Sequence, residues 1–165
     1  MDSAVPQTSS SPRRLLFVCS GNICRSPALE AVMRHLLEEK GVKDSIEVDS
    51  CALKDFFVGS RPDPQIVEAA AKRGISVEGR ARVFKPDDIE YFDYIFVVDK
   101  HLLEVLKFFG KTQKTASKVL LATQFAERYP FLDMPDPYCG GEEGFQLTLD
   151  IAEDACRGII KEFNL

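Results

Sequence analysis

The sequence predicts an α/β protein, a single-domain three-layer αβα sandwich in which helices cover both faces of a four-stranded parallel sheet. Short apolar runs alternate along the chain with longer segments that carry apolar residues at helical spacing. Such alternation is typical of βαβ units. The chain has 165 residues, of which 45% are hydrophobic and 28% charged. This length and composition suit one domain that buries its own core.

Four apolar runs are predicted to be the strands of this sheet. The first, Arg13–Cys19, and the third, Asp93–Val98, are apolar enough to be buried on both faces. The second strand is predicted at Ser45–Cys51 and the fourth at Lys118–Ala122. Because ligands bind beyond the carboxyl ends of parallel strands, the loops that follow these strands are the candidate functional region.

Four longer segments are predicted to be helices. The first spans Ser26–Lys40, with Ser26 as its N-cap, Pro27 at the first helical position and Gly41 ending it. The other three are predicted at Pro62–Arg73, Asp99–Phe109 and Gly144–Phe163, and Phe125–Gly141 is predicted to be a loop. The last helix is amphipathic and is expected to pack its apolar stripe on the sheet.

The first twelve residues differ in composition from the rest of the chain. They are polar, rich in Ser and Pro, and lack the apolar core of a signal peptide. We predict a disordered arm at residues 1–12 and one domain at residues 13–165. No apolar run approaches the roughly 18–20 residues of a membrane span, so no membrane association is expected. A cytoplasmic location with reduced thiols is predicted.

Charge and cysteine usage narrow the function further. The net charge is −5, from 21 Lys and Arg against 26 Asp and Glu. A domain-wide basic surface is absent, so nucleic acid is not an expected partner. The five cysteines and two isolated histidines show no zinc-ligand spacing, and no metal or cofactor is expected.

The loop between the first strand and the first helix carries the chemistry. Cys19 and Arg25 enclose five residues, and a helix starts at once. Backbone N–H groups of such a loop converge on one point and form a nest for an anion, and the helix N-terminus adds positive charge there. Arg25 can donate in parallel to two phosphate oxygens. The positive potential favours the thiolate of Cys19, which makes Cys19 a candidate nucleophile.

Other residues of this loop have types that suit the same role. Gly21 allows a tight fold of the backbone, Asn22 tolerates a left-handed conformation, and Ser26 can donate a hydrogen bond to the thiolate. The alternative is an ordinary buried cysteine near an unrelated arginine. The Gly, Asn, Ser and Pro residues favour an anion site. The predicted lining residues are Ser20, Gly21, Asn22, Ile23, Cys24 and Ser26.

From Val18 to Pro27 the sequence VCSGNICRSP resembles the phosphate loop of the low-molecular-weight protein tyrosine phosphatases. The resemblance runs from about Leu15 to Phe163 and includes an Asp-Pro-Tyr segment at residues 136–138. It implies a phosphatase I or flavodoxin-like fold without metal or cofactor. It also implies hydrolysis of phosphotyrosine in proteins or peptides through a cysteinyl-phosphate, with phosphate and oxyanion inhibitors binding in the same loop.

The resemblance assigns roles to residues outside the phosphate loop. Asp136 matches the general acid, which then acts as base; alternatively it is a turn-forming Asp before Pro. Tyr138 would line the pocket wall and stack on an aromatic ring, or else be a surface tyrosine. Phe56 would form the apolar mouth of the pocket, or else fold into the core.

Three further residues have two interpretations each. Ser50 matches a serine that helps to hold Asn22, or is a strand-end hydroxyl. Asp99 would support the site through Arg25, or cap a helix. The resemblance implies that Cys24 can form a reversible disulfide with Cys19 under oxidant, and the alternative is a small packed thiol.

The sequence departs from the family at two places. Cys139 stands where many members carry a second tyrosine, and Gly79 stands where a histidine is expected. The second departure leaves open how the hydrogen bonds around Asn22 and Ser50 are completed.

Three other functions were weighed against phosphotyrosine hydrolysis. Thioredoxin-coupled arsenate reductases share the loop but need further cysteines, and none lies between Cys51 and Cys139. Protein arginine phosphatases carry Thr where Ile23 stands. A non-catalytic phosphate-binding module would lack part of the catalytic set, which is complete here. A monomer or a weak homodimer through the apolar mouth is expected.

Overall fold

The computed structural model describes residues 13–165, so the arm predicted at residues 1–12 lies outside the described residues. Within this range four strands form one parallel sheet in the order β2-β1-β3-β4. The strands are β1 (Arg14–Cys19), β2 (Glu47–Ala52), β3 (Tyr94–Val97) and β4 (Val119–Leu121). The predicted α/β class with a four-stranded parallel sheet is confirmed.

The strands are connected by helices that the sequence pattern locates to within a few residues. The α-helices of the described range are α1 (Arg25–Glu39), α2 (Pro64–Ala71), α3 (Asp88–Tyr91), α4 (Lys100–Phe109), α5 (Gln113–Ala116) and α6 (Gly141–Phe163). Short 3-10 turns occupy Lys43–Ser45, Ala122–Phe125 and Pro137–Cys139. The predicted loop before α6 therefore contains one of these turns, at Pro137–Cys139, and begins at the last residue of another. Helices α3 and α5 are too short to show a helical period.

Burial of β1 explains the layered architecture. Leu15, Leu16, Phe17 and Val18 are all fully buried, although successive side chains of a strand point to opposite faces. Both faces of the sheet must therefore be covered, as they are in parallel sheets generally. Helix α1 packs against β1, β2 and α6, whereas α4 packs against β3 and β4.

Aromatic rings fill the core between the sheet and α6. The rings of Phe17 and Phe96 stack at 5.5 Å between centroids, and Tyr94 lies 4.5 Å from Phe163. Helix α6 contributes a buried stripe along its 23 residues, as its amphipathic pattern predicts. Within residues 13–165, no helix has both the length and the apolar character needed to cross a membrane.

The start of α1 corrects one prediction. The helix begins at Arg25 and its N-cap is Cys24, which makes no side-chain capping bond. Ser26 is therefore not the N-cap. It lies fully buried in the first turn, and its hydroxyl contacts Cys19 and Asn22 instead. A local capping preference is overridden here because the hydroxyl serves the loop that precedes the helix.

The carboxyl ends of the four strands meet at one edge of the sheet. Strand β1 ends at Cys19 and β2 at Ala52, and these two residues are paired in the register. The loop after β1 also bonds to the chain that follows β2, because Leu53 N donates to Cys19 O at 2.9 Å. This edge is where ligands bind in open parallel sheets.

Candidate active site

The phosphate loop, residues 19–26, closes around the sulfur of Cys19. The Asn22 backbone N–H donates to Cys19 Sγ at 3.2 Å, and Ser26 Oγ lies 2.9 Å from the same sulfur. Cys19 is only 3% exposed. Two polar groups therefore lie within hydrogen-bond distance of this sulfur, and the thiolate is the form of a cysteine that acts as a nucleophile.

Asn22 holds the loop in shape. Its φ of 57° is left-handed, a conformation that asparagine tolerates better than most residues. The side-chain Nδ2 donates to Ser26 Oγ at 2.8 Å and to Ser50 Oγ at 3.0 Å. The Oδ1 accepts from the backbone N–H of Arg82 at 3.1 Å. The contact predicted between Ser50 and Asn22 is present.

A partly buried carboxylate completes this network. Ser50 Oγ donates to Glu30 Oε1 at 2.7 Å, and Arg34 Nε donates to Glu30 Oε2 at 3.0 Å. Burial raises the pKa of Glu30, and the hydrogen bond from Ser50 opposes the rise. The network is therefore closed by Glu30 on α1. The sequence does not predict this contact, because a glutamate on an amphipathic helix is usually exposed.

The position of Gly79 is open space. A side chain placed there would meet no atom within 4 Å, and the φ of 95° is one that glycine adopts readily. A cavity of about 180 Å³ extends from this glycine to Glu30, Ser50 and Asn22. The departure at residue 79 thus leaves a cavity behind the phosphate loop but does not break the hydrogen bonds around Asn22.

Arg82 supports Asn22 from a distant segment. Its guanidinium donates from Nε to Asp49 Oδ2 and from Nη1 to Asp88 Oδ2, both at 3.0 Å. These ion pairs fix the backbone whose N–H binds Asn22. No motif in the sequence marks Arg82, because its partners are 33 and 6 residues away.

Arg25 lies in the first turn of α1 with its side chain held from the opposite side of the site. Its Nη1 donates to the carbonyl of Met134 at 3.0 Å and lies 3.9 Å from Asp99 Oδ2. Asp99 also caps α4, because its Oδ1 accepts from Leu102 N at 2.8 Å. Asp99 therefore makes both contacts, one with each oxygen, and its support of catalysis stays a prediction.

The loop carbonyls are engaged by neighbouring chain. Lys54 N donates to Ser20 O at 3.0 Å, and Asp63 N donates to Ile23 O at 2.8 Å. A carbonyl that accepts from another segment points toward that segment. These two carbonyls are therefore turned toward other segments, which is compatible with the anion nest that the sequence predicts.

Asp136 and Tyr138 approach the phosphate loop from the segment before α6. Burial raises the pKa of Cys24, and the charges of Cys19, Asp63 and Asp136 raise it further. Asp136 Oδ1 accepts from Tyr138 N at 3.0 Å. Asp136 therefore makes the local turn contact of the alternative interpretation, and its role as general acid stays a prediction.

Tyr138 is held at the wall of the site by two contacts. Its hydroxyl donates to Asp63 Oδ2 at 2.5 Å, and its ring meets Phe145 edge-on at 5.5 Å. The side chain remains 48% exposed. An aromatic face is thus presented to solvent beside the phosphate loop.

Two phenylalanines follow β2 and behave differently. Phe56 is 73% exposed, so the interpretation that it folds into the core is wrong. Phe57 packs over Gly21: a Cβ on that glycine would lie 2.9 Å from Phe57 Cδ2. Gly21 is therefore needed for the close approach of an aromatic ring. The sequence predicts an apolar mouth of Phe56, Phe57 and Tyr138, but it does not show that Phe57 packs on Gly21.

Among the cysteines that the structure describes, Cys19, Cys24, Cys51 and Cys156 are free and buried. Burial raises the pKa of both Cys51 and Cys156, which suits inert core thiols. The disulfide between Cys19 and Cys24 stays a prediction.

Comparison with known proteins identifies the family. Residues 14–164 match the low molecular weight phosphotyrosine protein phosphatase family. This chain belongs to that family. The match covers β1 to the end of α6, so it includes every residue of the site described above. The chain is therefore a phosphatase enzyme.

Individual relatives agree with this assignment. The low molecular weight phosphotyrosine protein phosphatase of Schizosaccharomyces pombe is 40% identical over 133 residues, which cover 80% of this phosphatase and 85% of the relative. A crystal structure of a protein tyrosine phosphatase from Entamoeba histolytica superimposes with a TM-score of 0.87 at 34% identity, covering 92% and 97% of the two chains. Vibrio vulnificus Wzb, solved in complex with benzylphosphonate, has a TM-score of 0.78 at 26% identity, covering 91% and 98%.

Proposed function

We propose that this phosphatase hydrolyses phosphotyrosine in proteins or peptides, with Cys19 as nucleophile, Arg25 as phosphate ligand, and Asp136 as general acid and then base. The observation that carries the proposal is the sulfur of Cys19 at the base of an anion-binding loop. Two donor groups lie 2.9 and 3.2 Å from that sulfur.

In the first step the phosphate group binds to the loop N–H groups and to the Arg25 guanidinium. These donors also stabilise the charge that develops on the equatorial oxygens in the transition state. The Cys19 sulfur forms a bond to phosphorus while the bond to the phenolic oxygen breaks. Asp136 gives its proton to that oxygen, which raises the rate by a factor of about 10²–10⁴. The products are tyrosine and a cysteinyl-phosphate.

In the second step a water molecule attacks phosphorus and gives its proton to the Asp136 carboxylate. The sulfur–phosphorus bond breaks, and inorganic phosphate and the Cys19 thiolate are released. The Ser26 hydroxyl, 2.9 Å from the sulfur, stabilises the departing thiolate by a hydrogen bond. The enzyme is restored with Asp136 protonated.

The surroundings of the loop support an aromatic substrate. Tyr138 and Phe57 present ring surface beside the anion site. Phe56, next to Phe57 in the segment after β2, adds an exposed ring. Aromatic rings stack on one another with favourable energy. Benzylphosphonate, the ligand of the Wzb structure, combines a tetrahedral phosphonate with an aromatic ring.

The test is hydrolysis of para-nitrophenyl phosphate between pH 5 and 8 in the presence of reductant and EDTA. Turnover by the wild-type protein and its loss in Cys19→Ser are expected. Peptides that carry phosphotyrosine or phosphoarginine then test the substrate class. Turnover of phosphoarginine without phosphotyrosine would overturn the proposed substrate. A folded, reduced wild-type protein without turnover would point to the phosphate-binding module instead.

A further inference from the structure

Asp63 connects three parts of the active site. Its backbone N–H donates to Ile23 O of the phosphate loop at 2.8 Å. Its Oδ1 accepts from Gln65 N at 2.8 Å and so caps α2. Its Oδ2 accepts the hydroxyl proton of Tyr138 at 2.5 Å. One residue thus joins the anion site through its backbone, and a helix and the aromatic wall through its side chain.

We propose that Asp63 is a positioning residue that sets the preference of this enzyme for aryl phosphates, because it holds the Tyr138 ring at a fixed distance from the phosphate loop. This inference rests on the proposed function and names the contact that selects its substrates. Asp63 does not touch the reacting atoms, and it acts through Tyr138 on the leaving group.

The hydrogen bond between Tyr138 and Asp63 is stronger than its exposed position suggests. A hydroxyl that donates to a carboxylate forms a stronger bond than a neutral pair does. Tyr138 keeps its proton for this bond, because burial and the contact with Asp63 both raise the pKa of the phenol. Phe145 supports only an edge of the ring. Without Asp63 the ring is free to leave the orientation in which it can stack on a substrate.

Asp63 also contacts the phosphate loop, through the hydrogen bond to Ile23. The same residue that holds the ring also donates its backbone N–H to the loop that binds phosphate. The spacing between ring and anion is therefore set by one residue and not by two independent segments. An aryl phosphate spans both features, whereas inorganic phosphate contacts only the loop.

A purely structural role for Asp63 makes a different prediction. Capping of α2 uses Oδ1, and the bond to Tyr138 uses Oδ2. Asp63→Ser keeps a side chain that caps helices well but is too short to reach Tyr138. Tyr138→Phe removes the same bond from the other side and keeps the ring. The two variants therefore separate the contact from the cap.

The experiment measures KM and kcat for a phosphotyrosine peptide, together with the dissociation constants of benzylphosphonate and inorganic phosphate. We expect Asp63→Ser and Tyr138→Phe each to raise KM and the benzylphosphonate Kd by about tenfold, the effect of one hydrogen bond to a charged group. The Kd for inorganic phosphate should change by less than about twofold. The double variant should resemble each single variant, because the two changes remove one contact.

Asp87→Ser is the matched control, because it makes the same change at an exposed aspartate before α3 that forms no side-chain capping bond. It should leave all of these values unchanged. Additive effects in the double variant would overturn the inference, since the residues would then act separately. A parallel loss of phosphate affinity, kcat and thermal stability in Asp63→Ser would also overturn it. A wild-type protein without phosphotyrosine turnover would refute the proposed substrate, and the benzylphosphonate affinities would still decide the role of Asp63.

Discussion

The phosphate loop (residues 19–26) and the acid segment (residues 131–141) face the same site but are built in different ways. In the loop, Cys19, Asn22, Cys24 and Ser26 are at most 4% exposed, and side-chain hydrogen bonds link three of them. In the acid segment, Phe131, Leu132 and Tyr138 are between 39% and 54% exposed.

The two constructions match the two ends of the substrate. Every phosphate monoester presents the same tetrahedral anion, so a rigid cradle serves all of them, and preorganised donors are most effective there. The rest of the substrate differs from one peptide to the next. The acid segment meets that variable part with exposed rings and few anchors, such as the bond between Tyr138 and Asp63.

The largest expected effect comes from the centre of the loop. Cys19→Ser should lower kcat by on the order of 10⁵–10⁶, the cost of losing the nucleophile in a covalent mechanism. The hydroxyl of serine is not ionised near neutral pH. Phosphate binding and thermal stability should persist, because the loop N–H groups and Arg25 are unchanged. Steady-state kinetics and calorimetry with phosphate measure both. Retained turnover would mean that Cys19 is not the nucleophile.

A change in the acid segment should depend on the leaving group. Asp136→Asn should lower kcat for phosphotyrosine by about 10²–10⁴ because the phenolate then leaves without a proton. The loss should be smaller for para-nitrophenyl phosphate, whose leaving group is a weaker base. Asp133→Asn, an exposed aspartate of the same segment, is the control. Equal losses on both substrates would contradict the role of Asp136 as acid.

Removal of one support of the loop should have an intermediate effect. Ser50→Ala deletes the hydroxyl that accepts from Asn22 and donates to Glu30. We expect kcat/KM to fall by about tenfold, because the buried amide of Asn22 and the partly buried carboxylate of Glu30 each lose a hydrogen-bond partner. Ser76→Ala, at an exposed serine, serves as the control. An unchanged kcat/KM would show that the loop keeps its shape without Ser50.

The smallest effect concerns stability and its dependence on pH. Burial raises the pKa of Glu30 above its ordinary value of 4.5, so the folded protein binds this proton more tightly than the unfolded chain. The contribution of Glu30 to the free energy of unfolding is therefore greatest below pH 4.5 and falls as the pH rises through the raised value. Glu30→Gln lacks this decline.

Urea unfolding of the wild type and Glu30→Gln between pH 4 and 7 measures the difference. We expect the variant to gain stability relative to the wild type as the pH rises. Glu38→Gln, at an exposed position of the same helix, controls for the loss of a carboxylate. A difference that is constant with pH would contradict the raised pKa of Glu30.

The sequence predicts those parts of the site that are local in the chain. Cys19, Arg25 and the turn between them lie within one strand–loop–helix unit, where residue types and spacing suffice. The N-cap prediction for Ser26 is wrong because capping propensity takes no account of the contact between the Ser26 hydroxyl and the Cys19 thiol. The short helices α3 and α5 are missed because four residues hold no period.

Ser50 was assigned through the family resemblance, but three other supports of the loop could not be predicted, because their contacts depend on the folded sheet. Glu30, Asp63 and Arg82 reach the loop or its partners only after the sheet has formed. The packing of Phe57 on Gly21 could not be predicted for a different reason. Nothing in two adjacent phenylalanines shows which ring turns toward Gly21 and which toward solvent.

The hydrogen bonds of Asn22 have a consequence for the order of folding. They span 4, 28 and 60 residues of sequence. The phosphate loop leaves the ribosome early, but the bond to Arg82 can form only after about half of the chain has been made. Contacts of such separation form late because loop closure costs entropy. A nascent chain that ends before Arg82 therefore carries the complete phosphate-loop sequence but lacks the partner of the Asn22 Oδ1 atom.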